Sequence, residues 1–401
     1  MTHSLEAPYS LAALREAISN LVDQNQEFLI ALSDRIHANP EVGFKEYKAA
    51  RWITEQFSKL GFKVETGVAG LETAFVARYH GSQQRPNLGF IVEYDALPNL
   101  GHACGHNTKG PATLGSIMAI LGILHPVPGT ITVFGTPAEE GGGGKVIMAN
   151  AGVFDELDAA IALSVGPRNM TGLSTLVSRT LKITIKGHSA HAHAQPHKGK
   201  NALSALIGGF NHTNALRQQF ASGARVNGII TEGGSSVGAI PDFARAELLV
   251  SAREMVTQAG LEKQIKGAFS YSADVYGCSM TSEPGHLYRE MKLNRPLISL
   301  IEEKIQELGL ELGTPAIGGG TGATDMGNVS HVVPADTIWL SLGREIMPHT
   351  EEYRVACSSK EGHTALLNGA KVGALVMLEL FLRPSRLTEI KEAFCQLEPN
   401  S

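Results

Sequence analysis

Cysteine is scarce in this chain, with four in 401 residues: Cys104, Cys278, Cys357 and Cys395. That excludes a dense disulfide framework and leaves thiols free to pack or bind metal, the usage of a reducing compartment. Basic residues are in short supply too, 34 Lys and Arg against 39 Asp and Glu, for a net charge of −5. No broad cationic surface follows, so neither nucleic acid nor an anionic membrane is an expected partner. The opening "MTHSLEAPYSLAAL" lacks a basic segment and a long apolar run. No leader is expected there, and the expected location is cytoplasmic. The apolar stretch "ALLNGAKVGALVMLELFL" is interrupted by Lys371 and Glu379 and reads as a buried amphipathic helix, not a membrane span. A complete phosphate loop is also missing. In "EEGGGGK" the lysine is followed by Val146, and "GGGTGATD" near Gly318 has no clear strand before it, which leaves a nucleotide enzyme little support.

What is present is globular: 43% hydrophobic and 18% charged residues, in a chain long enough for two or three domains. "SLAALREAISNLVDQNQEFLIALSDRIHANP" predicts a helix ended by its proline, and "YKAARWITEQFSKLGF" a second, stopped at Gly61. The strands "ETAFVARY", "NLGFIVEYDALP", "GTITVFGTPAEE" and "DAAIALSVGP" follow, interleaved with the apolar helix "ATLGSIMAILGIL". Alternation of this kind predicts the α/β class, with a sheet covered on both faces. From Thr180 the order becomes strand–helix–strand–strand–helix–strand, with "ADVYGCSMTSE" as the closing strand, a ferredoxin-like α+β arrangement inserted at 180–287. The earlier style resumes afterwards, so 1–179 and 288–401 are expected to form one discontinuous domain.

Ligands of open α/β sheets gather beyond the carboxyl ends of the strands. Asp95 closes one predicted strand and Glu139 and Glu140 another, and "NLGHACGHNTKG" follows the first with His102, Cys104 and His106 on alternate positions. Carboxylate, imidazole and thiolate are the ligand types of zinc and similar ions. Each piece alone is ordinary, since a Cys-x-His turn is commonly incidental and paired glutamates commonly line a solvated edge. Their convergence on one sheet edge is what points to metal.

On "RIHANPEVGFKEYKAA", "EYDALPNLGHACGH", "GTPAEEGGGGKVIM", "GHSAHAHAQPHKGKNAL", "GATDMGNVSHVVP" and "PHTEEY", the chain resembles the dinuclear metallopeptidases and amidohydrolases. That family includes aminoacylases, glutamate carboxypeptidases and indole-acetyl-amino-acid hydrolases. The branch it resembles is that of aminoacylase-1-like and aminobenzoyl-glutamate hydrolases. The resemblance implies an aminopeptidase-like catalytic domain, with a central mixed sheet and helices on both faces, and an inserted ferredoxin-like lid and dimerisation domain. It implies hydrolysis of an N-acyl amino acid, a dipeptide or an acyl-glutamate-like amide by metal-activated water, with one or two Zn²⁺ or Mn²⁺ ions per chain. Cys104, His106, Glu140 and His349 match metal ligands, Cys104 the one that bridges two ions. Glu139 matches the general base, Asp95 a carboxylate that orients the site, and His191 a histidine of the insert that binds the substrate carbonyl. A homodimer through the insert is implied as well. His102, His188, His193 and His197 read as surface or structural histidines, and Asp325 as structural.

One departure stands out. In "ALSVGPRN", Gly166 occupies the position where the resemblance leads one to expect a metal-binding histidine. Glycine has nothing to coordinate with, so one of the two metal positions lacks a protein ligand. The rival reading is therefore a single-metal or non-catalytic family member that binds a small ligand or partner.

Overall fold

Residues 87–92, 130–135 and 159–166 are buried at every position, as uncharged runs rich in Leu, Ile, Val, Phe and Ala are when both faces of a sheet are covered. The computed structural model describes residues 11–314 and 322–396. The elements begin with α1 (Leu11–Gln24), α2 (Gln26–His37), α3 (Tyr47–Lys59), β1 (Lys63–Thr66), β2 (Phe75–His80), β3 (Asn87–Val92), α4 (His106–Ile123), β4 (Thr130–Gly135), α5 (Gly144–Asn150) and β5 (Ala159–Gly166). Next come β6 (Val177–Lys186), α6 (Ala202–Leu216), β7 (Arg225–Glu232), β8 (Phe243–Ala252), α7 (Met255–Val275) and β9 (Ser279–Tyr288). The last are α8 (Arg295–Glu307), α9 (Met326–Ser330), β10 (Ala335–Ser341), α10 (Glu351–Ala356), α11 (Lys360–Leu382) and α12 (Pro384–Gln396). The opening segment 1–10 and the glycine run at 318–320 lie outside the described residues.

Two compact units result: Met1–Ser174 with Met291–Gly318 and Asp325–Ser401, and Thr175–Glu290 with Gly319–Thr324. In the larger unit six strands form one sheet in the order β1-β2-β4-β3-β5-β10. Strands β4, β3, β5 and β10 run parallel, and β1 and β2 form an antiparallel edge on the side of β4. Side chains alternate between two cores. Leu88, Phe90 and Val92 of β3 face the large one with α1–α4, α8 and α11, while Ile91 faces a smaller one with α5 and α9. Helix α11 is long and apolar enough to cross a membrane, but 78% of that stretch is buried inside the structure, against α4, β5 and β10. In the smaller unit four antiparallel strands run β7-β8-β6-β9, the ferredoxin-like order, with α6 and α7 packed on the sheet.

Three local expectations are corrected. The first predicted helix is two, broken at Asn25, which leaves the helical region (φ −103°, ψ 4°) while its amide donates to Leu21 O at 2.8 Å. Helix α4 starts at His106, upstream of Pro111, not at Ala112. The third is the predicted strand "ADVYGCSMTSE": α7 continues to Val275, and β9 begins only at Ser279.

Candidate metal centre

Beyond the ends of β3 and β4 the chain keeps several charged groups buried. After Val92 come Glu93, Tyr94 and Asp95, all inaccessible to solvent. Gly105 then turns the chain into α4 at φ +77°, where a Cβ would lie 2.3 Å from Val165 Cγ2, so only glycine fits. After Gly135, Ala138 adopts φ +55° and its N–H is held by Glu46 Oε1 at 2.8 Å, which aims Glu139 and Glu140 back over the strand ends. His349 comes from beyond β10. It too sits in the left-handed region (φ +63°), and its N–H donates to Ala103 O at 2.9 Å. That bond fastens the late imidazole to the His-Cys-His turn and offsets backbone strain of about 1–3 kcal/mol.

Asp95 organises what surrounds it. One oxygen accepts from His106 Nδ1 at 2.9 Å and the other from Glu140 N at 3.0 Å. Burial alone would raise the Asp95 pKa, but His106 holds it below the usual carboxylate value. A carboxylate only accepts, so Nδ1 carries the proton and Nε2 is the atom His106 turns toward Glu93 Oε2 (3.3 Å) and Glu139 Oε2 (4.0 Å).

Two candidate ligand groups meet here. Cys104, Glu140 and His349 bring one ligand atom each within 4.8 Å of one another, with His349 Nε2 3.3 Å from Glu140 Oε2. Tetrahedral zinc, with bonds of about 2.0–2.3 Å, sets its ligand atoms about 3.3–3.8 Å apart, so this group is near the required spacing. Glu140 Oε1 is buried and without a hydrogen-bond partner, an orphan that a cation would satisfy. Hydrogen bonds to Cys104 and Glu140 push the His349 imidazole up to about 10, a second sign of concentrated negative charge. The residues fit one divalent ion. His106, Glu139 and Glu140 form the second group, so the residue shared between the two is Glu140. Burial, reinforced by Glu93 and Glu140, pushes the Glu139 carboxyl up to about 8.

A third cluster of Glu93, Glu139 and Asp325 contains two lysines. Lys145 Nζ reaches Glu93 Oε1 at 2.7 Å and Asp325 Oδ1 at 2.5 Å, and Lys109 bonds Glu93 Oε2. Burial would raise the Glu93 pKa, but Lys109, Lys145 and His106 pull it far below the ordinary value. Glu93, Lys109 and Lys145 were not singled out from sequence. The available signal was a charge standing alone in an apolar strand, an apolar helix and a glycine run. Gly166, at the end of β5, is buried, and a Cβ there would stand 3.0 Å from Trp339 Cε3.

Of the remaining histidines, His102 is buried and not at the surface, and burial pushes its imidazole down to about 3, so it is neutral. His188, His193 and His197 are exposed in the smaller unit. His191 belongs to that unit as well. Its Nδ1 accepts from His193 N (3.3 Å) and Ala194 N (3.2 Å), which leaves the ring proton on Nε2.

Residues 89–378 match the model of peptidase family M20/M25/M40. The human Xaa-Arg dipeptidase is 32% identical over 403 residues, covering 96% of this chain and 92% of its own. A p-aminobenzoyl-glutamate hydrolase polypeptide of Escherichia coli is 32% identical over 261 residues, covering 59% of this chain and 53% of its own. Among solved structures, an aminobenzoyl-glutamate utilization protein from Klebsiella pneumoniae superposes with TM-score 0.72 at 16% identity, over 89% of this chain and 98% of that one. A dinuclear metal binding peptidase of the M20 family from Bacillus subtilis gives TM-score 0.64 at 19% identity, over 89% and 99%. This chain belongs to peptidase family M20/M25/M40 and is a metal-dependent hydrolase of peptide or amide bonds.

Proposed function

We propose that the chain cleaves the amide bond of a dipeptide or an N-acyl amino acid, with Cys104, Glu140 and His349 holding a Zn²⁺ or Mn²⁺ ion and Glu139 acting as general base. The observation that carries this reading is the under-partnered Cys104–Glu140–His349 group with Glu139 beside it, at the carboxyl ends of β3 and β4. When bound, the ion supplies positive charge that brings Glu139 into its working range, polarises a carbonyl and acidifies nearby water. Glu139 accepts a proton from the attacking water and returns it to the departing nitrogen, and Asp95 keeps His106 and the Glu140 backbone in place. His191 Nε2–H donates to the carbonyl oxygen as charge develops there. The human relative's name supports dipeptides ending in arginine as the first substrates to try, and the Escherichia coli relative's name supports acyl-glutamates. A cytoplasmic location is proposed on the sparse cysteine usage and a homodimer through 180–287 on the resemblance alone, and light scattering of the purified chain checks the second.

The test is a substrate screen with added Zn²⁺ or Mn²⁺, run alongside Glu139→Gln. That variant is expected to lose about 10²–10⁴-fold in kcat with bound metal unchanged. Undiminished turnover would remove Glu139 as base. His191→Ala is expected to lose about 10²–10³-fold in kcat, again at constant metal content.

A further inference from the structure

We propose that this chain holds one divalent ion, not two, and that the ammonium groups of Lys109 and Lys145 take over the charge of the second. The inference rests on Cys104, Glu140 and His349 being the ligands of the first ion.

Three observations carry it. The first is the missing ligand. Gly166 offers no donor, and the space its side chain would enter is bounded by the Trp339 ring at 3.0 Å. The second is that the neighbouring oxygens are already used. His106 Nε2, the nitrogen a second ion would need, has Glu93 Oε2 3.3 Å away, and that oxygen is bonded by Lys109. Glu93 Oε1 goes to Lys145, and both oxygens of Asp325 are taken by Lys145, through N at 3.0 Å and Nζ at 2.5 Å. A protonated lysine has donors and no acceptor, so neither can ligate a metal, and each repels one that enters. The third observation is charge. Glu93 and Asp325 lie in the interior with the half-buried Glu139 beside them, and buried carboxylates need compensation. Two ammonium groups, side chains 5% and 0% exposed, supply the same formal charge as one divalent cation. They are bonded into the fold and cannot be removed by a chelator.

The test uses the full chain, stripped with a chelator and titrated with Co²⁺ alone. The thiolate-to-cobalt absorption is followed, and bound metal is counted after equilibrium dialysis. One equivalent is expected, with the thiolate band complete at that point and absent in Cys104→Ser. A wild-type chain that takes up two tight equivalents overturns the proposal and leaves the ligand assignment standing. A chain that binds one ion without the thiolate band instead sinks the Cys104–Glu140–His349 reading, and this inference with it. Lys109→Met removes one ammonium and is expected to bind a second Co²⁺ at least tenfold more tightly than wild type. Lys109→Arg, which keeps the charge, is expected to stay at one. If Lys109→Met also stays at one, with the same thermal shift on cobalt as wild type, the lysine is not standing in for a cation. Should that variant not fold, Lys109→Gln is read the same way.

Discussion

Two groups of ionisable side chains share the carboxyl end of the larger sheet, and their partners are arranged in opposite ways. Around Cys104, Glu140 and His349, one carboxylate oxygen is buried with no hydrogen bond and the imidazole is 55% exposed. Around Glu93 and Asp325, every carboxylate oxygen meets a lysine or backbone N–H, and the side chains are 0–5% exposed. Folded proteins rarely leave buried acceptors unsatisfied. The open group is built to receive something, and the closed one is finished without it.

The sharpest way to break this contrast is to open the closed cluster. Lys145→Met leaves Glu93 and Asp325 buried with one counter-charge fewer, and a loss of about 3–5 kcal/mol in urea unfolding is expected. A change within about 0.5 kcal/mol, typical of surface positions, would show that the cluster is not holding the fold together. A smaller effect is expected where the two groups touch. Asp95→Asn weakens the fixation of His106 and of the Glu140 backbone, so metal affinity should fall about 10–100-fold by chelator competition, with little change in the unfolding midpoint.

The smallest effect is in pH. Glu139, raised to about 8, and His349, raised to about 10, both sit above their unfolded values. Each therefore contributes stability that is full below its unfolded pKa and is lost as pH rises through the folded one. The metal-free protein should melt a few degrees lower at pH 9 than at pH 6, since about 1 kcal/mol moves Tm by about 2–4 °C for chains of about 150–250 residues and by less in a longer one. Ion binding needs the imidazole neutral and the thiol deprotonated, so the stabilisation by metal should widen over the same interval. A metal-free melting temperature that climbs toward pH 9 contradicts the assignment.

The parallel strands were legible because β3, β4 and β5 carry no charged residue and are mostly apolar, a pattern that suits a doubly covered sheet. Cys104 and Glu140 of the open group were legible as well, in short motifs that follow predicted strands, while His349 entered only through the resemblance carried by "PHTEEY". Strand β1 was not read. "KVET" is four residues and mostly exposed, and it exists through its pairing with β2. The start of α4 was hidden behind Pro111, which ordinarily marks a helix boundary. The closed cluster was hidden for a different reason. Lys145 and Asp325 are 180 positions apart, and nothing local to either announces that the other will neutralise it. Asp325, read as structural, proved to be the partner that anchors Lys145.

The bond from His349 N to Ala103 O has a consequence for biosynthesis. The thiol emerges from the ribosome early and the imidazole late, with the whole smaller unit translated between them. On the proposed ligand set, no partial product that stops short of β10 can capture the ion. Metal uptake would thus act as a checkpoint, passed only by chains that have brought their distal end back to the first βα turn.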